Sequence, residues 1–218
     1  IGFGQLLDAD PSLDADQRES IEEILKAAQH LLSLINEVLD LAKIESGHIE
    51  LSLEPVEMTQ LVSECLALVL PMAAARAITL KTQEGTAGTA ISVIADRVRL
   101  RQVLLNLLSN ALKFTPPGGS IALSLSHKNE ASGKIRVTAV VQDTGKGMDP
   151  EFSMHAFEAF TQENADDSEC GTGLGLTIVK SIVELMGGDI IIESRLSHGT
   201  GITGNLPVCP SAAPAAAA

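Results

Sequence analysis

From about Asp16 to Ser46 the apolar residues recur every seven positions. Ile21, Ala28, Ile35 and Ala42 share one heptad position, Ile24, Leu31 and Val38 share another, and Leu25, Leu32 and Leu39 widen the stripe. Such a repeat describes a helix that must bury one face against other helices, in a bundle or coiled coil. Gly47 is placed to end it, because glycine enters the left-handed conformation that closes a helix without steric cost. A short apolar start, Ile1 to Leu7, is set off from this segment by Asp8, Asp10, Pro11, Ser12 and Asp14. One helical hairpin cannot bury a stripe this wide, which predicts a homodimer formed through the N-terminal helices.

At Ile49 the period changes. Ile49, Leu51 and Leu53 alternate with polar residues as a strand does, and Met58 to about Ala75 reads as a helix. Strands are expected at Ile78–Lys81 and Ile91–Ile94, and a helix from about Arg97 to Phe114 closed by Thr115-Pro116-Pro117-Gly118-Gly119. The alternations Ile121/Leu123/Leu125 and Ile135/Val137/Ala139/Val141 predict paired strands around a turn near Lys128–Gly133. A polar, glycine-punctuated stretch from Asp143 to Gly173 follows, then a helix at about Leu174 to Met186 and strands near Asp189–Ser194 and Ile202–Leu206. Gly201 and Gly204 interrupt the last strand and should weaken it as an edge. The expected class is α+β: a helical hairpin over residues 1–48, an α/β layer over 49–208, and a low-complexity Ala/Pro tail over 209–218, expected to be disordered.

Composition narrows the chemistry. The 218 residues carry 15 Lys+Arg against 28 Asp+Glu, a formal charge of -13. Twelve acids and three bases fall within residues 1–54, so most of the surplus belongs to the helical part. This argues against sequence-independent binding to nucleic acid or anionic lipid. Five Phe with no Tyr or Trp exclude stacking platforms for single strands. Phe114, Phe152, Phe157 and Phe160 fall in or beside the polar glycine-punctuated stretch, and only Phe3 lies in the hairpin. Cys65, Cys170 and Cys209 are odd in number and far apart, neither a disulfide framework nor a zinc set, so a reducing, cytoplasmic compartment is expected. No basic region precedes an apolar stretch at the start, and the apolar run at Cys65–Leu70 stops at Pro71, short of the roughly 20 residues of a span. No direct membrane contact is expected.

Three segments carry chemistry. On the helix at 97–114, Arg99, Gln102, Asn106, Asn110 and Lys113 fall on one stripe, opposite Leu100, Leu104, Leu107, Leu108 and Ala111. A polar helix face is ordinarily just solvated, yet two carboxamides one turn apart are unusual for poor helix formers. With a lysine beyond them they could hold a hydrated cation and an anionic group. Asp143-Thr144-Gly145-Lys146-Gly147-Met148 follows a strand. Alone it reads as a tight turn with an Asp cap, but the same Asp could accept a hydrogen bond from an exocyclic amine while the glycines admit a ligand against the backbone. Gly171-Thr172-Gly173-Leu174-Gly175-Leu176 runs into a helix, where free N–H groups favour phosphate. It is neither a P-loop nor a Rossmann fingerprint.

Taken together and in order, these segments resemble the catalytic region of sensor histidine kinases, which share an α/β sandwich with type II topoisomerases. Residues 99–119 look like the N box, DTGKGM like the first glycine box, FEAF at Phe157–Phe160 like the F box, and GTGLGL like the second glycine box. Residues 18–47 resemble the second helix of the family's dimerisation hairpin, and IGFGQLL the end of its first. The resemblance implies that ATP is bound with Mg²⁺, that Asn110 ligates the metal supported by Asn106, and that Lys113 contacts phosphate. It further implies that Asp143 recognises the adenine amino group beside Gly145 and Gly147. Gly171, Thr172, Gly173, Leu174, Gly175 and Leu176 would shape the phosphate side, with Phe114 beside and Phe157 and Phe160 within a lid over about Lys146–Cys170. The implied activity is transfer of the γ-phosphoryl group to a histidine, then to a response-regulator receiver domain.

Departures from the pattern matter as much. Relatives that hydrolyse ATP carry a Glu where this chain has Asn106, and an amide is no general base, so hydrolysis is disfavoured. The family's acceptor His precedes the segment resembling IGFGQLL. His30, His48, His127, His155 and His198 lack the acidic residue that follows it, with His127 and His198 expected in or near turns. No catalytic His is therefore assigned, and the acceptor is expected upstream of Ile1. Cys170 stands where many relatives have glycine. Arg97, Arg99 and Arg101 are expected to be mainly solvated. The competing readings are a non-catalytic dimerisation and docking module with a degenerate pocket, and an ATPase or serine-directed kinase of the same fold.

Overall fold

The computed structural model describes residues 1–8, 10, 12–47, 50–84, 92–129, 135–163 and 171–208. They form two compact units, Ile1–His48 and Ile49–Ala218. The tail, Cys170, Cys209 and His48 lie outside the described residues.

The first unit is α1 (Gly2–Asp8) against α2 (Ala15–Glu45). A capping box starts α2: the Gln17 N–H donates to the Asp14 carboxylate at 2.8 Å, and the Asp14 N–H donates to the Gln17 side chain at 3.2 Å. Gly47, with φ +67°, ends it as the sequence predicts. The two helices approach closely at Gly4, where a Cβ would come within 2.7 Å of the Leu25 side chain. Ile24, Leu31, Ile35 and Val38 on α2 remain 45–65% exposed, so the heptad face is not covered within the unit.

The second unit contains β1 (Glu54–Glu57), α3 (Met58–Ala75), β2 (Thr79–Glu84), β3 (Ser92–Ala95), α4 (Arg97–Phe114), β4 (Ser120–Asn129), β5 (Ile135–Asp143), α5 (Pro150–His155), α6 (Gly175–Leu185), β6 (Asp189–Arg195) and β7 (Gly199–Val208). Five strands form one sheet in the order β2-β4-β5-β7-β6, parallel only between β2 and β4, while β1 and β3 pair separately. The apolar faces of α3, α4 and α6 meet inward residues of the sheet, with Leu104, Leu108, Ile121, Leu123, Ile178 and Ile182 almost fully buried. The period switch at Ile49 predicts this α/β layer, and the resemblance to histidine kinases implies its sandwich form.

Several expectations need correction. Leu51–Leu53 is not a strand: the Ser52 N–H is taken by the Asp96 carboxylate at 3.0 Å, and pairing begins at Glu54. The helix expected from Met58 to about Ala75 is present as α3 and runs through Pro71. That helix is long and apolar enough to cross a membrane by composition, while its face bearing Met58, Leu61, Val62, Cys65 and Val69 is packed in the core. β7 is not an edge. Gly201 and Gly204 lie in a strand paired on both sides, by β5 and β6, whose Ile202 and Leu206 are buried. His127 lies within β4 rather than in a turn. Arg97 is not merely solvated; its guanidinium contacts Glu64 of α3 at 2.6 Å. The polar stretch also contains α5, started by Asp149 and Pro150, a cap-plus-proline signal the sequence reading passed over.

Candidate functional site

Two caps fix α4. Asp96 accepts the Arg99 N–H at 3.0 Å, and the Thr115 hydroxyl donates to the Ala111 carbonyl at 2.6 Å. Between them the predicted amphipathic phase is realised: Leu100, Leu104, Leu107, Leu108 and Ala111 are buried, and Asn106, Asn110 and Lys113 form a half-exposed row.

Asp143 is the last residue of β5 and is 8% exposed. Its Oδ1 accepts two backbone N–H groups, from Gly145 at 2.7 Å and from Thr200 at 3.2 Å. Among the described residues no donor reaches Oδ2, which leaves one carboxylate oxygen held by the fold and the other able to accept. Burial pushes the Asp143 carboxyl above the usual aspartate range, against the opposing pull of the Gly145 and Thr200 N–H groups. The turn-cap and ligand readings of the DTGKGM segment are therefore compatible, since each uses a different oxygen.

Close approach dictates the glycines. A Cβ at Gly145 would overlap the Phe114 carbonyl, and one at Gly147, where φ is +68°, would sit 2.7 Å from the Arg195 carbonyl carbon. The loop between them is pinned on both sides: the Lys146 N–H donates to the Phe114 carbonyl at 3.2 Å, and the Ser197 N–H donates to the Lys146 carbonyl at 2.6 Å. Thus the end of α4, the end of β5 and the β6–β7 turn converge at residues 143–147.

The second glycine loop faces α4. A Cβ built on Gly171 would lie 3.3 Å from the Lys113 ammonium, and one built on Gly175 would lie 4.0 Å from the Asn110 amide nitrogen. The side chains most able to meet anion and cation thus border the loop where backbone is barest. Gly173, at φ +72°, packs on the backbone of Phe160, whose N–H donates to the Gly173 carbonyl at 3.1 Å. Leu174 is fully buried, and its N–H is held by the Thr172 hydroxyl at 3.1 Å, so it shapes the loop from below. Leu176 is half-buried on the first turn of α6. Two ammonium groups, those of Lys113 and Lys146, each lie 5.1 Å from the centre of the Phe114 ring. Phe157 is half-buried, with the Lys180 ammonium 5.6 Å from its ring, while Phe160 is 64% exposed.

Asn110, Lys113, Phe114, Asp143, Gly145, Gly147 and the 171–175 loop are thereby gathered on one side of the unit. Asn106 stands one turn before Asn110, with no recorded contact to the glycine loops. Sequence reading missed Thr200, which holds Asp143 from 57 positions away, and Gln162, whose amide donates to the Gly171 carbonyl at 2.6 Å. No local pattern reports contacts at such separations. The expected lid beyond Glu163, residues 164–170, lies outside the described residues.

An α/β sandwich with a strand-end carboxylate and two glycine loops facing an amide-bearing helix defines a class of protein. Residues 95–210 match the family described as histidine kinase-, DNA gyrase B- and HSP90-like ATPase. Residues 1–47 match the His Kinase A (phospho-acceptor) domain, and the chain belongs to the histidine kinase family. It is 37% identical over 214 residues to sensor histidine kinase GacS of Pseudomonas protegens, covering 95% of this chain and 23% of that protein. It is 38% identical over 200 residues to histidine protein kinase DivJ of Caulobacter vibrioides, covering 87% of this chain and 31% of that one. The chain thus spans roughly a quarter of the length of the curated relatives it matches. Full-length ShkA, solved in complex with AMPPNP, superposes with a TM-score of 0.78 at 33% identity, covering 96% of this chain and 42% of that one.

Proposed function

We propose that residues 49–208 bind ATP and pass its γ-phosphoryl group to a histidine outside residues 1–218, as the catalytic core of a cytoplasmic unit of a sensor histidine kinase. The observation that carries this reading is Asp143: one oxygen bound by Gly145 and Thr200, the other available to an exocyclic amine. Gly145 and Gly147 let the loop after Asp143 pack against the Phe114 and Arg195 backbone, which sets the place of that carboxylate. Lys113 and the N-terminal turn of α6 offer positive charge and N–H donors to the phosphates.

A magnesium ion suits the donor set. The described residues contain no cluster of three His, Cys, Asp or Glu, and Mg²⁺ commonly takes only one or two protein ligands beside substrate phosphates and water. Asn110 is the residue that would hold it, facing Gly175; a bound ion would neutralise phosphate charge. The protein's own part is positioning, because phosphoryl transfer requires little covalent chemistry from it. In the transfer, the bond from γ-phosphorus to the ADP oxygen breaks as a phosphorus–nitrogen bond to imidazole forms. Asn106 supplies no base to activate water, which favours transfer over hydrolysis.

Titration with a fluorescent ATP analogue is expected to saturate, more tightly with Mg²⁺ than with EDTA. Asn110→Ala should erase that difference. Absence of saturable binding overturns the reading, and steady phosphate release without an acceptor moves it toward an ATPase.

The exposed heptad face of α2 supports a homodimer, and the relatives' description as sensor kinases supports a receiver-domain aspartate as the next phosphoryl acceptor. Leu31→Glu combined with Val38→Glu is expected to convert dimer to monomer in sedimentation velocity while ATP binding survives. A wild-type monomer at tens of micromolar would exclude the dimer.

A further inference from the structure

Glu163 makes contacts that neither the motifs nor the catalytic scheme uses. Its side chain is 21% exposed; Oε2 lies 2.9 Å from the Lys146 ammonium, and Oε1 accepts the Asp149 N–H at 3.2 Å. One carboxylate therefore grips both ends of the 146–149 loop, directly after Asp143 and Gly145. The residues just before it are bonded elsewhere. Phe160 donates its N–H to the Gly173 carbonyl at 3.1 Å, and Gln162 donates its amide N–H to the Gly171 carbonyl at 2.6 Å. Phe160 sits at φ +63°, a conformation a non-glycine residue keeps only where its surroundings enforce it. The run Phe160–Glu163 is thus fixed to the phosphate-side loop by its first and third residues and to the Asp143-side loop by its fourth.

We propose that Glu163 and Lys146 form a clasp that positions the two glycine loops relative to one another, so that a nucleotide reaching from Asp143 to the 171–175 loop meets both in register. The clasp rests on the ATP-site reading above and adds positioning residues to it. The backbone of Lys146 is already anchored to Phe114 and Ser197, and that of Phe160 to Gly173. The Glu163 carboxylate is the group that joins these two anchored parts. A ligand that touches only the Asp143 side should be indifferent to the clasp, whereas one that spans both loops should depend on it.

The test uses the full chain and competition of adenosine and of ATP with Mg²⁺ against a fluorescent ATP analogue. Glu163→Gln and Lys146→Met are each expected to weaken ATP about three- to fivefold, the range for a partly exposed ion pair acting through geometry. Adenosine affinity should not change, and the double variant should be no weaker than either single one, because the two side chains act as a unit. Thermal melting of each variant checks that it is folded. Equal losses for adenosine and ATP would make the pair merely structural and overturn the clasp. So would additive losses, or tighter ATP binding by Glu163→Gln, which would mean that Lys146 meets phosphate directly. Asp143→Asn separates the levels: if wild type binds ATP, Asp143→Asn does not, and Glu163→Gln matches wild type, the clasp alone fails. If wild type binds no ATP, the site reading fails with it.

Discussion

Asp143→Asn is expected to lower ATP affinity by about a hundredfold while leaving the melting temperature unchanged or raised. The asparagine oxygen can still accept the Gly145 and Thr200 N–H groups that Oδ1 accepts now. The other atom becomes an NH₂ donor facing a purine amine, so a charge-assisted hydrogen bond worth roughly 1.5–3 kcal/mol is replaced by two opposed donors. Asp143→Ala would confuse the result, because two buried N–H groups would lose their acceptor at about 1–3 kcal/mol each. pH supplies a second reading of the same group. Burial raises the Asp143 carboxyl, so ATP affinity should begin to fall on acidification at a higher pH than an ordinary aspartate would dictate. For stability the sign is opposite: with a raised folded pKa, this residue's favourable contribution is present in acid and lost as pH rises through that value. Asparagine removes the cost of a buried charge at neutral pH and should flatten the pH dependence of affinity. Isothermal titration beside differential scanning calorimetry measures both; wild-type affinity in the variant would mean that Asp143 does not touch the nucleotide.

Gly147→Ala is expected to destabilise the second unit by about 2–5 kcal/mol and to abolish ATP binding, from left-handed backbone strain added to overpacking. The atoms in the way are the Arg195 carbonyl carbon at 2.7 Å and the Leu196 Cα at 3.2 Å, both backbone, so no side chain can swing aside. Relief requires the 143–147 loop to part from the β6–β7 turn, which also undoes the bond between the Lys146 carbonyl and Ser197. A control lies in the same sheet. Gly201 has ordinary φ, and its Cβ would meet only the Glu193 carbonyl at 3.7 Å, so Gly201→Ala should be neutral or slightly stabilising. Equal melting temperatures for the two variants would refute the close-approach argument.

Legibility followed sequence range. The 97–114 helix was readable because its period and its Thr-Pro-Pro stop are both local, while its Asp96 cap came only with the structure. The β4–β5 pair was readable because the two alternations adjoin each other. The strand expected at 49–53 misled because alternation alone cannot tell a paired strand from an extended segment whose N–H bonds a distant Asp96. β7 misled for a related reason: edge or interior status depends on which strands arrive on either side. For the site, the order of the polar helix and two glycine loops identified the residue types, while Thr200, Gln162 and Glu163 carried no local signal.

The sequence by itself determined the two-unit division, the unpartnered heptad face, the polar stripe on α4 and the place of both glycine loops. Periodicity and backbone freedom are properties of neighbouring residues, so they are written in order along the chain. Only the tertiary structure decided that one oxygen of Asp143 is spent on Gly145 and Thr200 and the other is not. It also decided that Lys113 and Asn110 face the second glycine loop, and that Glu163 ties one loop to the other. Those facts depend on hydrogen bonds and close approaches between residues brought together by the packing of α4, α6 and the sheet, and that packing is settled by the whole core at once.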